Sequence, residues 1–168
     1  DVETGTVLAA PNLPGWEQVP LRDLLTEELD LPVFVENDAN AAALGERFCG
    51  AARRAQNLIF LFLDLGIGGG FLLNGELYRG NQGAAGEVGH MIIDINGRRC
   101  GCGSNGCLET VASGIALTQR WAERRSQNEP VLLEQLLGLV QAGDPQAKAD
   151  LNEAARYIGV AAASLANT

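Results

Sequence analysis

The stretch "GHMIIDINGRRCGCGSNGCLE", Gly89 to Glu109, constrains this chain more than any other. It holds three of the four cysteines within eight residues, and the sole histidine lies ten residues before the first of them. Such a segment can be a disulfide scaffold, a metal knuckle or an accident of composition. A disulfide scaffold belongs to shorter, cysteine-dense chains with little core. This chain has 168 residues and is 46% apolar, enough for one globular domain with a core of its own. Cys100 and Cys102 are too close for an easy mutual bridge, and pairing either with Cys107 leaves the histidine unexplained. A tetrahedral Cys3His zinc site accounts for His90, Cys100, Cys102 and Cys107 together, with Gly101, Gly103 and Gly106 supplying the turns. Cys49 is left over and is expected to be buried as a small apolar residue.

Charge and hydropathy exclude several functions. The net charge is −9, from 12 basic and 21 acidic residues, and the basic features are the isolated pairs Arg53-Arg54, Arg98-Arg99 and Arg124-Arg125. Phosphate backbones require clustered Lys and Arg, so no direct nucleic-acid contact is expected of this segment. No apolar run reaches membrane-spanning length, and "DVETGTVLAAPNLPGW" does not read as a signal peptide. The expectation is a cytoplasmic protein without a membrane partner. The chain opens in what reads as a strand without Met and stops at a helix, so it is expected to be a fragment of a longer protein.

The pattern of elements reads as α/β, with strands first and helices later. "GTVLAA" reads as a strand, "PNLPGW" as a loop, and Pro20 to Leu29 as a helix with Leu21, Leu24 and Leu25 on one face. Leu31 to Glu36 reads as a strand, followed by a helix ending at Gly50. "NLIFLFLDL" is so continuously apolar that it predicts a strand buried on both faces. A glycine turn, "GIGGG", follows it, and Asn74-Gly75 signals a hairpin. "MIIDI" reads as a strand before the knuckle. "ETVASGIALTQRWAERR", "PVLLEQLLGLVQAG" and "DPQAKADLNEAARYIGVAAASLAN" read as three helices.

Four places carry candidate chemistry. Asn37 and Asp38 close a predicted strand where a helix begins; either is a helix cap, or Asp38 faces the ligand crevice of an α/β sheet. The glycines after Asp64 either make a tight hairpin or present backbone N–H groups to an anion. They are not a Walker A loop, since no Gly-Lys-Ser/Thr follows. Glu87 is either a solvated loop charge or a partner in a polar pocket with His90, whose second ring nitrogen is free to meet a substrate hydroxyl. Glu109 is either a dipole-favoured acid at a helix start or a further ligand contact.

Taken in order, "VFVENDANAAALGE", "LGIGGG", "LNGELYRGNQGAAGEVGHM" and "CGCGSNGCLETVASG" resemble the ROK family of bacterial sugar kinases and sugar-responsive repressors. The resemblance runs from "PNLPGW" to the last helix. It implies an actin-like, ribonuclease-H-like ATPase fold, a mixed sheet with helices, a zinc knuckle and a helical C-terminal part. It implies that residues 1–168 are one domain, the larger sugar-binding lobe, without the small N-terminal domain and the C-terminal adenosine-binding segment. By position, Asp38 matches the catalytic base and Asn37 a sugar contact. Glu87, His90 and Glu109 match further hydroxyl ligands, with His90 also on zinc. Gly66, Gly68 and Gly69 match the second phosphate-binding loop, and the family's ligands would be a small-molecule sugar and, for a kinase, ATP with Mg2+. A homodimer or homotetramer is the implied assembly.

The chain departs from the family pattern where "LDLG" replaces Leu-Gly-Thr-Gly: Asp64 adds negative charge and Leu65 removes a hydroxyl. Two functions therefore stay open. One is ATP-dependent phosphorylation of a hexose or N-acetylhexosamine, as in a glucokinase. The other is a sugar-sensing transcriptional repressor whose DNA-binding domain lies outside this chain.

Overall fold

The computed structural model describes residues 1–10, 13–125 and 131–167. Two compact units emerge, residues 1–60 with 70–86, and residues 61–69 with 87–168.

In the first unit, β1 (Val7–Ala9) pairs antiparallel with β2 (Glu17–Val19) in the register Val7↔Val19. Pro11 and Asn12 of the expected loop lie outside the described residues. Helix α1 (Leu21–Leu29) starts one residue after Pro20, and Asp30 ends it in the left-handed region at φ 51°. The Arg22 guanidinium donates to the carbonyls of Val2 and Glu3, tying the N-terminal turn to α1. The backbone of Leu31 to Glu36 runs without strand pairing, although its residues favour a strand. Leu31 is 59% and Phe34 92% exposed, so no sheet neighbour covers this apolar run among the described residues. Helix α2 (Asp38–Phe48) follows, and Cys49 just beyond it is exposed rather than buried.

The strands β3 (Leu58–Leu63), β4 (Ile67–Leu73) and β5 (Glu76–Leu77) form a sheet in the order β3-β4-β5. The chain leaves the first unit within β3 and returns to it within β4. Asn74 at φ 55° and Gly75 at φ 82° make the two-residue turn between β4 and β5, with Leu73↔Glu76 as the closing pair. The apolar run of β3 is not buried on both faces: Ile59 is 43% and Leu63 50% exposed, because nothing among the described residues covers them on that face. The glycine turn is also shorter than its composition suggests. Only Asp64 to Gly66 turn, while Gly68, Gly69 and Gly70 belong to β4.

Gly70 decides how α2 lies on this sheet. A Cβ there would stand 2.7 Å from the Ala39 carbonyl oxygen and 2.7 Å from the Ala43 Cβ. Ala39 and Ala43, one helical turn apart, are the buried face of α2. Small residues on both sides let helix backbone touch strand backbone.

The second unit is built around helices. The expected strand Met91 to Ile95 contributes only an isolated bridge, Ile92↔Cys107, because the knuckle it pairs with turns away at once. Gly106 sits at φ 70°, and a Cβ on it would run into the Asp94 carbonyl, so this crossing requires glycine. The segment Glu109 to Arg125 is two helices, α3 (Glu109–Ala112) and α4 (Gly114–Arg125), split at Ser113. Ser113 is extended at ψ 162°, and its hydroxyl caps the second helix by accepting from the Ala116 amide at 3.1 Å. Helix α5 covers Leu133–Gln141; Pro130, expected at its start, lies outside the described residues. Helix α6 (Pro145–Ala166) opens with Asp144 as cap, its carboxylate accepting from Gln146 and Ala147 at 2.9 Å, and with Pro145 in the first turn. It packs against α3, α4 and α5 around Leu108, Leu117, Trp121, Leu136 and Ala154.

Candidate active site and metal cluster

His90, Cys100, Cys102 and Cys107 converge, with one ligand atom from each lying within 4.8 Å of the others. His90 ends a short 3-10 turn, Val88–His90, that is seated by Gly89. A Cβ on Gly89 would overlap the Ile67 carbonyl, so the turn lies directly on β4. Cys100 and Cys107 are buried, and Cys102 is exposed on the outer side of the knuckle. The Cys102 and Cys107 sulfurs are 3.6 Å apart, and Cys100 Sγ is 3.5 Å from His90 Nδ1. A tetrahedron with Zn–S of about 2.3 Å and Zn–N of about 2.0 Å has edges of about 3.8 and about 3.5 Å, so these two separations match it, and the donors fit zinc in number and type.

The thiols are unlike one another. The Cys102 thiol is lowered to about 7, first by the hydrogen bond from the Ser104 backbone and then by Cys100. Burial pushes the Cys107 thiol up to about 12, with Cys102 and Cys100 adding to it. A divalent cation held by His90, Cys100, Cys102 and Cys107 would reverse that preference by favouring all three thiolates.

The far edge of the imidazole faces a carboxylate. His90 Nε2 is 3.8 Å from Glu87 Oε2, and the Glu87 side chain is 62% exposed. One ring nitrogen thus faces the sulfurs and the other faces Glu87. Glu109 stands apart from this pair. Its Oε2 accepts from the Ile67 amide at 3.3 Å and lies 3.0 Å from where a Gly66 Cβ would be. The Asp64 and Leu65 carbonyls accept from Gly114 and Ile115, so the turn before Gly66 is held on the first turn of α4.

In the first unit, Asn37 is the cap of α2. Its Oδ1 accepts from the Asn40 amide at 3.1 Å, and its backbone is extended at ψ 142°. The side chain of Asp38, the first helical residue, is exposed and accepts from the Ala39 amide at 2.7 Å. The capping reading therefore holds for Asn37, which leaves the second Asp38 oxygen for other work. Sequence reasoning missed two residues here. Glu36 Oε1 accepts from the Asn37 amide at 3.0 Å and from Asn40 Nδ2 at 3.1 Å. Its Oε2 accepts from Arg79 Nε at 3.1 Å and from the terminal guanidinium nitrogen at 2.6 Å. Burial alone would raise the Glu36 carboxyl, but the hydrogen bonds from Arg79, Asn37 and Asn40 hold it below the usual range. An acid immediately before Asn37-Asp38 was a usable signal for Glu36. Nothing local points to Arg79, 43 residues away.

The ROK family's sequence model matches residues 1–168. The chain belongs to the ROK family. It is 40% identical over 180 residues to a glucokinase of Halalkalibacterium halodurans, covering 99% of this chain and 54% of that protein. It is 36% identical over 162 residues to a xylose repressor of Bacillus spizizenii, covering 96% of this chain and 41% of that protein. A ROK family glucokinase from Streptomyces griseus, solved in complex with glucose and AMPPNP, superposes with a TM-score of 0.86 at 37% identity, covering 98% of this chain and 57% of that one. The α/β fold is thus that of the ROK kinases, and this ROK chain spans about half the length of the glucokinases it matches.

Proposed function

We propose that this ROK chain is the larger, sugar-binding lobe of an ATP-dependent kinase that phosphorylates a hexose or an N-acetylhexosamine. The observation that carries this reading is the corner at Asn37 and Asp38. Asn37 takes the capping role, and Asp38 presents an exposed carboxylate on a backbone held by several hydrogen bonds. A sugar hydroxyl attacking a phosphoryl group needs an acceptor for its proton at a defined place, and an oriented Asp supplies one.

On this reading Asp38 is the general base, and Asn37, Glu87, His90 and Glu109 are hydroxyl contacts. Groups of these types discriminate between sugars because a buried polar group left unmatched is costly. His90, Cys100, Cys102 and Cys107 would hold a structural zinc, which would restrain the His90 ring and so what Nε2 offers. Gly66 in the turn, with Gly68 and Gly69 at the start of β4, is assigned to the second phosphate-binding segment. Mg2+ accompanying ATP would neutralise phosphate charge, which the acidic turn at Asp64 cannot do. The fold, the glucokinase relatives and the Streptomyces griseus structure support the kinase reading.

The repressor reading rests on a separate observation. Asp64 and Leu65 occupy the turn before Gly66, and Glu109 already engages the Ile67 amide, an arrangement that disfavours an incoming phosphate. The relative from Bacillus spizizenii carries the name of a repressor. The test is sugar-dependent ADP production by the full-length protein, measured alongside calorimetric sugar binding. Sugar-dependent turnover supports the kinase. Sugar binding without turnover moves the assignment to the repressor, and neither overturns both.

A further inference from the structure

We propose that Arg79 and Glu36 are positioning residues that fix the Asn37–Asp38 corner for catalysis; this rests on the kinase reading above. The argument starts from how the Glu36 carboxylate divides its bonds. One oxygen holds the corner, through the Asn37 amide and Asn40 Nδ2; the other is held by two N–H groups of Arg79. The carboxylate is therefore a bridge between the start of α2 and the residue carrying the guanidinium. Asn40 is 4% exposed, and its Nδ2 reaches Glu36 while its Oδ1 has no hydrogen-bond partner among the described residues.

Arg79 can act as an anchor because its own backbone is pinned. It follows β5, the Tyr78 amide donates to the Phe71 carbonyl of β4, and the Arg79 carbonyl accepts from Ala85. The same strand, β4, carries Gly70, on which α2 rests. Helix α2 is thus held to the hairpin along its buried face by Gly70 and at its N-terminal end by the ion pair. With the Arg79 side chain 45% exposed, the pair adds little to stability. What it can supply is direction. Without Arg79, Glu36 keeps the Asn37 and Asn40 bonds on one oxygen alone, so the carboxylate that braces the Asn37–Asp38 corner loses its second anchor and the corner is held less firmly. Misplacing a reacting group by about 1 Å can lower a rate about 100-fold.

The experiment uses the full-length protein with R79A, R79K, R79Q, E36Q and the double variant E36Q/R79A, and D38N as reference. Each is measured for kcat, KM for sugar and for ATP, zinc content and thermal midpoint. The expected result is that R79A and E36Q each lower kcat about 10- to 100-fold, with KM for ATP and zinc content unchanged. The double variant should be no worse than the worse single one, because both act through one network. R79K should recover part of the loss by donating one N–H to Oε2. If R79A does not fold, R79Q and R79K give the same comparison. Wild-type kcat in folded R79A and E36Q overturns the proposal, as does a loss of thermal midpoint alone with kcat intact. Failure of the kinase reading is visible separately, since wild type would then lack turnover or D38N would keep it. In that event the readout is sugar affinity, and R79A binding sugar as wild type does overturns the proposal.

Discussion

Glu87 Oε2 lies 3.8 Å from His90 Nε2, on the ring edge opposite the one that meets Cys100 Sγ at 3.5 Å. This relationship would make the candidate metal site and the proposed sugar contacts one mechanical object. A ring clamped at Nδ1 by a metal cannot rotate away, so whatever fixes the knuckle also fixes what Nε2 offers.

Purified protein should contain about one zinc per chain, and Cys102→Ser should lose it together with stability. The affinity should fall with pH. Each thiol must release its proton to bind, and Cys107 holds its own up to about 12 in the metal-free chain. Zinc competition titrations from about pH 8 down to about pH 6 should therefore show a steady weakening. A pH-independent affinity would mean that the thiols are not the ligands.

Removing the carboxylate contacts should weaken sugar binding. Glu87→Ala and Glu109→Ala should each cost about 1–3 kcal/mol if the bound sugar covers these carboxylates, the range for a hydrogen bond to a charged group lost from a covered site. Glu109→Ala should in addition free the Ile67 amide, so its effect on ATP KM should differ from that of Glu87→Ala. Isothermal calorimetry and steady-state kinetics separate the two. Wild-type sugar affinity in both variants would place the pocket elsewhere.

Gly70→Ala should destabilise the first unit by about 1–3 kcal/mol, the usual cost of forcing a methyl into closed packing. Its Cβ would press on Ala39 O and Ala43 Cβ, both at 2.7 Å. Denaturant unfolding reads the loss directly, and an unchanged midpoint would show that α2 does not rest on β4 as described.

Legibility in the sequence followed the range of the interaction. The convergence of His90, Cys100, Cys102 and Cys107, the Asn37 cap and the Asn74-Gly75 turn were readable because their partners lie close in sequence. Leu31 to Glu36 misled as to strand, and Asn57 to Leu65, which does form β3, misled only as to burial, since propensity states what a segment tolerates while exposure depends on distant neighbours. Met91 to Ile95 failed for a related reason: its partner strand is a knuckle that pairs at one residue and turns. Hydrogen bonds spanning long separations, Arg79 to Glu36 and Ile67 to Glu109, left no local trace at all.

Asp38 carries the central claim, and Asp38→Asn in the full-length protein tests it most directly. The amide keeps the shape and can still accept from the Ala39 amide, so zinc content and sugar affinity should match wild type. Turnover should nevertheless fall by about 100-fold or more, because an amide cannot take the hydroxyl proton. Single-turnover ATP-dependent phosphorylation, measured beside calorimetric sugar binding on the same preparation, gives both numbers. Retained turnover with retained binding would contradict the assignment of Asp38 as the base.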